Sequence, residues 1–294
     1  MARPILLFGA CVGGLLIGLS THAIYSGNGN EQPQSELPTE STLEPSSSPL
    51  VPDGFSPEQL HVLAQSVTVK IISGQNSGSG ILIARQNDLY TVVTNHHVLV
   101  FGDGQTFPIQ TPDGQEHLGQ VVHLSQLQGK DLALLQFRTS QTYGIASMGN
   151  STSVAVGDKV FAAGFPIEER GFVFNQGNIA LVIDRPFGGG YELGYTNDIQ
   201  KGMSGGPVFN GQGEVIAING MHAYPIWGNP YQFDDGSQPS PTLQAQMTEL
   251  SWAIPIEEFV YLTQSVLFPN FSSGAKSTPS HRESPQSPEP NAIW

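Results

Sequence analysis

Gly202-Met203-Ser204-Gly205-Gly206-Pro207-Val208 sets one serine among glycines that let the backbone come close to a bound carbonyl group. The turn reads as the seat of a nucleophile. Gly, Ser and Pro also crowd ordinary turns, so this reading depends on a base and an orienting acid elsewhere in the chain. A serine hydroxyl attacks poorly until a histidine takes its proton, and the histidine works best when a carboxylate holds its tautomer and orientation.

Both partners have plausible settings upstream. In Tyr90-Thr91-Val92-Val93-Thr94-Asn95-His96-His97-Val98-Leu99 a β-branched run ends in two histidines, which reads as a strand delivering a histidine to the edge of a site. In Gly129-Lys130-Asp131-Leu132-Ala133-Leu134-Leu135-Gln136-Phe137 an aspartate stands at the mouth of an apolar run that reads as a buried strand. Taken singly, each has an ordinary explanation, a satisfied core histidine and a strand-end aspartate.

Together the three places resemble the chymotrypsin-fold serine proteases, in the bacterial branch that includes the high-temperature-requirement type. Thr94-Asn95-His96-His97-Val98 looks like that family's Thr-x-x-His segment, which puts the base at His97 rather than His96. Lys130-Asp131-Leu132-Ala133-Leu134-Leu135 looks like its Asp-hydrophobic-Ala-Leu-Leu segment and puts the orienting acid at Asp131. The resemblance makes Ser204 the nucleophile and the backbone N–H groups of Gly202 and Ser204 the oxyanion donors. Weaker matches fall at Gly78-Ser79-Gly80-Ile81-Leu82-Ile83, at Glu214-Val215-Ile216-Ala217-Ile218-Asn219 and at Trp252-Ala253-Ile254-Pro255, so the likeness covers roughly residues 60 to 268. It implies an all-β fold of two six-stranded antiparallel β-barrels with a C-terminal helix. His97 and Asp131 would come from the first barrel, Ser204 from the second, and no cofactor or metal is required. Gly202-x-Ser204-x-Gly206 also satisfies the nucleophile elbow of α/β-hydrolases, but that fold needs its acid and histidine downstream, where only His222 and His281 occur. A cleft that binds exported polypeptides without cutting them is the remaining alternative.

Composition agrees with a β architecture. Short β-branched runs such as Val67-Thr68-Val69-Lys70-Ile71-Ile72, punctuated by Gly, Asn and Asp, read as many strands joined by tight turns. Helical patterning is confined to Pro57 to Ala64 and Ile256 to Leu267. Residues 1–23 read as a signal peptide or N-terminal membrane anchor, with Arg3 ahead of an apolar stretch and Thr21-His22-Ala23 as a cleavage site, which leaves a membrane tether through residues 5–20 open. Lipid attachment at Cys11 is disfavoured by Phe8. Residues 24–55, with five acidic residues and no basic one, are expected to be a Ser/Pro/Glu-rich disordered linker, and 272–294 a second Ser/Pro tail. The protease domain is then 56–271, with no peptide-binding domain expected after Leu267 and with export to the periplasm or beyond. Cys11 is the single cysteine, so the domain carries no disulfide.

Charge narrows the partners. From Ser56 to Phe271 there are 18 acidic and 8 basic residues without a Lys/Arg stripe, so the expected partners are protein or peptide substrates and not nucleic acid. Family members activated by a propeptide cut carry an aspartate just before the nucleophile; Met203 stands there, and a thioether cannot anchor an ammonium group. For substrate selection the candidates are Asp198, six residues before Ser204 as in trypsin-like pockets, with Ile199 and Asn219. Gly188-Gly189-Gly190 reads as a hairpin turn, since the Lys-Ser/Thr of a phosphate loop does not follow it. Ala223 to Thr242 reads as a Pro-rich rim of the cleft, and its Asp234-Asp235 as a solvated turn rather than a calcium loop.

Overall fold

A computed structural model describes residues 54–267 apart from 103, 170 and 225–229. The expected signal or anchor, nearly all of the acidic linker and the C-terminal tail lie outside the described residues. Helix α1 (Pro57–Val67) starts on a capping box: Ser56 Oγ accepts the Gln59 N–H, the Ser56 N–H donates to Gln59 Oε1 at 2.8 Å, and Pro57 occupies the first turn.

The first barrel follows, built from β1 (Thr68–Ser73), β2 (Asn76–Gln86), β3 (Leu89–Thr94), β4 (Thr106–Gln110), β5 (Glu116–Val122) and β6 (Ala133–Arg138). A single helical turn, α2 (His96–Leu99), interrupts it after β3. The second contains β7 (Lys159–Gly164), β8 (Val173–Phe187), β9 (Tyr191–Tyr195), β10 (Pro207–Phe209), β11 (Val215–Met221) and β12 (Ser251–Pro255). Both are closed and antiparallel, in the orders β1-β2-β3-β6-β5-β4 and β10-β11-β12-β9-β8-β7. Pairing of Ile71 with Ile109 closes one, and pairing of Val208 with Ala162 closes the other. Closure leaves neither sheet an unpaired edge. This is the chymotrypsin fold, as the sequence reading implied.

Strands that face two cores explain the continuous apolar runs. Successive side chains of a strand point to opposite faces. Leu82, Val92 and Leu135 fill the first barrel, while their neighbours Ile81, Val93 and Leu134 point into a seam shared with the second. The second barrel repeats this. Val160, Ala217 and Ala253 turn inward, and Phe161, Ile218 and Ile254 enter the same seam. Leu60 and Ala64 of α1 also enter it. The barrels are therefore joined by a buried apolar layer, and residues carried at the mouth of the seam are held on both sides.

Two helices complete the described chain. The C-terminal α4 (Ile256–Leu267) matches its expected range, and its Ile256, Phe259 and Leu267 belong to the seam. At the end of the stretch read as a Pro-rich rim begins α3 (Pro241–Thr248), capped by Ser240 Oγ on the Leu243 N–H. Its Ser-Pro start is a standard N-terminal signal, but the helix has little apolar periodicity and buries only Met247, so patterning conceals it.

Candidate active site

Strand β3 ends at Thr94, and the chain turns at Asn95 into α2, which carries His97. The expected strand thus stops three residues before the histidine. Asn95 is fully buried and its Nδ2 donates to the Asp131 carbonyl at 2.8 Å. Asp131, just ahead of β6, accepts the His97 backbone N–H on Oδ1 at 2.8 Å and the His97 ring Nδ1–H on Oδ2 at 2.6 Å. A carboxylate can only accept, so Nδ1 carries the proton and Nε2 of the neutral ring is left with its lone pair. His97 is 44 % exposed at the side chain, against 17 % for Asp131. The imidazole is therefore partly open to solvent, and the carboxylate stands behind it.

Burial by itself would push the Asp131 carboxyl up; the hydrogen bond and charge of His97, with the Tyr191 hydroxyl, outweigh it and hold the group below its ordinary range. Tyr191 opens β9 in the second barrel and donates to Asp131 Oδ2 at 2.5 Å. Its own phenol is driven well up, by burial first and then by the neighbouring carboxylate. The Gly188-Gly189-Gly190 stretch is the turn between β8 and β9, as expected. It also reaches the other barrel, where the Gly189 carbonyl accepts the Asp131 N–H at 2.9 Å.

The turn at Ser204 is pinned from several directions. The N–H groups of Met203, Gly205 and Gly206 donate to the carbonyls of Gln200, Asn219 and Met203. Among the described residues no acceptor takes the N–H of Gly202 or Ser204. Gly202 and Gly205 have φ of 98° and 84°, in the left-handed region. A side chain on Gly205 would also strike the Ser79 carbonyl at 2.2 Å. Ser79, fully buried in β2 of the first barrel, is the principal brace: its N–H donates to the Ser204 carbonyl at 2.8 Å, and its Oγ donates to the Gly202 carbonyl at 2.8 Å while accepting the Phe165 N–H at 2.9 Å. Met203 is fully buried and packs into the second barrel with Ile199. The Ser204 hydroxyl donates to the Gly220 carbonyl at 3.1 Å and not to His97.

The three specificity candidates separate. Asn219 is fully buried, with Nδ2 on the Met203 carbonyl at 2.9 Å and Oδ1 accepting the Tyr195 hydroxyl, so it braces the turn from beneath and offers no side-chain atom to a substrate. Ile199 is buried but borders two clefts. One, of about 300 Å³, includes Gln200, Lys201 and His222 close to the nucleophile turn; the other, of about 280 Å³, includes Thr196, Asp198 and Tyr224. Asp198 is exposed, and its backbone carbonyl accepts from Asn175. Asp235 pairs with Arg185 at 3.0 Å, and Asp234 lies 3.6 Å from Lys130, so the paired aspartates are engaged with cations of the protein.

Two residues escape a reading of the sequence. Ser79 sits inside the Gly78-Ser79-Gly80 likeness, yet nothing in it tells that the side chain crosses to the other barrel. Tyr191 carries no signal beyond following a glycine turn.

Comparison with known proteins agrees with this geometry. Residues 78–218 match the family model described as a trypsin-like peptidase domain. The chain is 29 % identical over 154 residues to the serine protease Do-like HtrA of Bacillus subtilis, covering 49 % of this chain and 33 % of that protein. It is 34 % identical over 155 residues to a probable periplasmic DegP-like serine endoprotease of Rhizobium meliloti, covering 52 % of this chain and 29 % of that one. A protein of the same description from Brucella suis is 35 % identical over 146 residues, covering 48 % and 27 %. The chain thus spans about a third of the length of the curated relatives it matches.

Proposed function

We propose that this chain, which has the chymotrypsin fold, matches a trypsin-like peptidase domain over residues 78–218 and is similar to HtrA and DegP-like proteins, is a serine endopeptidase acting on polypeptides through an acyl-enzyme intermediate. His97 Nε2 takes the proton of Ser204 Oγ as that oxygen attacks the scissile carbonyl carbon. Asp131 holds the imidazole and stabilises the imidazolium that forms. The developing oxyanion is received by the N–H groups of Gly202 and Ser204, and the imidazolium returns its proton to the leaving amine. Water then repeats the cycle on the acyl-enzyme. The observation that carries this reading is the Asp131–His97 pair, whose Nδ1–H bond leaves Nε2 as the acceptor, together with a serine turn that has two backbone donors uncommitted.

The bond from Ser204 to the Gly220 carbonyl sets a condition. The hydroxyl must leave that carbonyl, by rotation about χ1, before His97 can act on it. The same bond favours, as a second reading, a cleft that binds polypeptide without cutting. An organophosphonate probe separates the two. Wild type should be labelled and Ser204→Ala should not, whereas equal labelling of both would sink the peptidase assignment.

Met203 at the position before the nucleophile supports activity without a propeptide cut, because its side chain is committed to an apolar core. Export is the second part of the proposal. It rests on the leader-like residues 1–23 and on the periplasmic description of DegP-like relatives. A membrane tether through residues 5–20 remains an expectation from the sequence, since those residues lie outside the described ones.

A further inference from the structure

Asp131 is held from behind by a group of the other barrel. Tyr191 is 3 % exposed, and its hydroxyl meets the same carboxylate oxygen, Oδ2, that accepts His97 Nδ1–H. Gly220 of β11 lies directly against this phenol. A Cβ built on Gly220 would lie 2.1 Å from the Tyr191 hydroxyl and 2.6 and 2.7 Å from two ring carbons. The backbone of Gly220 does not lie in the left-handed region, so conformational freedom does not explain the glycine. Space does. Position 220 must lack a side chain for the phenol to reach Asp131, and the carbonyl of the same residue receives the Ser204 hydroxyl.

We propose that Tyr191 is a positioning residue for the triad, reaching from the second barrel to fix the Asp131 carboxylate of the first, and that Gly220 supplies the gap it needs. The inference rests on the peptidase reading above. Two contacts from one hairpin reinforce each other. The Gly189 carbonyl holds the Asp131 N–H, and the Tyr191 hydroxyl holds the carboxylate, so backbone and side chain of the acid are gripped together. A hydrogen bond to an ionised acceptor is among the stronger ones, and in this buried setting it restricts which way Oδ2 can face. The angle of the imidazole follows from it. The other titratable and charged groups around this point are His97 on α2, Tyr195 of β9, Lys130 beside Asp131, and, around Lys130, Glu192, Asp234 and Glu258.

The test is Tyr191→Phe in the full chain, assayed with a fluorescently labelled unfolded protein and with the phosphonate. It should lower kcat roughly ten- to hundredfold with little change in KM, and slow phosphonate labelling to the same degree. Because Asp131 loses a donor to its charged form, the acidic limb of the kcat/KM profile should move to higher pH. A merely structural hydroxyl would lower the melting temperature and leave that limb in place. Gly220→Ala gives an independent reading with the phenol intact. Its methyl displaces the ring and should lower kcat, and in the Tyr191→Phe background, where the nearest atom is gone, it should cost at least about twofold less. Unchanged kcat and an unmoved acidic limb in Tyr191→Phe, or full additivity with Gly220→Ala, would overturn the role of Tyr191 alone. A wild-type chain that the phosphonate fails to label would overturn the peptidase reading and this inference with it.

Discussion

Asp198 illustrates how far a spacing argument reaches. Six residues before the nucleophile it holds the place of a pocket-floor carboxylate, yet its side chain is exposed. A carboxylate that stays in water gains little from a cation, on the order of 0–1 kcal/mol. Asp198→Asn should therefore change kcat/KM for Arg- or Lys-containing peptides by less than about fivefold, measured against the matched Leu peptides. A hundredfold selective loss would show that substrate binding buries this carboxylate and would reject the argument. Asn219 was legible as a residue near the cleft but not as a buried brace, because spacing fixes position along a strand and not which face of it the side chain takes. The three residues of the proposed triad could be picked out for a different reason. Each of its members must occupy a special local setting, a helical turn after a strand for His97, a strand mouth for Asp131, a glycine-bounded turn for Ser204, and such settings leave marks in neighbouring residues. Tyr191 needs none, since an ordinary strand position 60 residues from Asp131 suffices to bring the two together.

Strand β2 does for the turn at Ser204 what the β8–β9 hairpin does for Asp131. Ser79, itself buried, joins the first barrel to Gly202, Ser204 and Phe165 through three hydrogen bonds. Replacing it with alanine keeps its N–H bond to the Ser204 carbonyl but leaves the Gly202 carbonyl and the Phe165 N–H without a side-chain partner. Each orphaned buried group costs about 1–3 kcal/mol, so Ser79→Ala should lower stability by about 2 kcal/mol or more in a denaturant titration. The Gly202 carbonyl belongs to the same turn as the two proposed oxyanion donors, and its release should also reduce kcat roughly tenfold at nearly constant KM. A stability loss with kcat unchanged would mean the turn keeps its shape without Ser79. Barrel strands were readable from sequence even where both faces are buried, because Val92–Val93 and Leu134–Leu135 combine β-branched or apolar runs with turn residues at each end. The short α3 was not, since its helix rests on a cap and one buried methionine. The α2 turn was not either. Its four residues are too few for any periodicity, and it is settled by His97 N–H on Asp131, a contact between segments 34 residues apart.

Behind the acid, four segments of the molecule meet at Lys130. Its ammonium lies 2.9 Å from Glu258 of α4 and 3.6 Å from Asp234, with Glu192 of β9 close enough to act through charge. Burial alone would lower the lysine's pKa, but the hydrogen bond and charge of Glu258 with the charges of Asp234 and Glu192 prevail and raise it. Three carboxylates around one ammonium leave a surplus of negative charge, and Glu192 bears it. Burial first, then Glu258 and Asp234 against the opposing pull of Lys130, raise its carboxyl from an ordinary 4.5 to about 7. A carboxyl whose pKa is raised by folding contributes stability that is complete below pH 4.5 and lost as pH rises through about 7. At full weight such a shift corresponds to roughly 3 kcal/mol, and solvent reaching this half-buried side chain reduces it to about 1–2 kcal/mol. Glu192→Gln removes the titration and keeps the shape. It should melt with wild type at pH 4 and about 2–6 °C above it at pH 9, the difference opening between those values, as followed by thermal unfolding at fixed ionic strength. Other acidic groups titrate in both proteins and cancel in the comparison. Equal melting temperatures at pH 9 would mean that Glu192 ionises without cost, with Lys130 neutralising all three carboxylates at once.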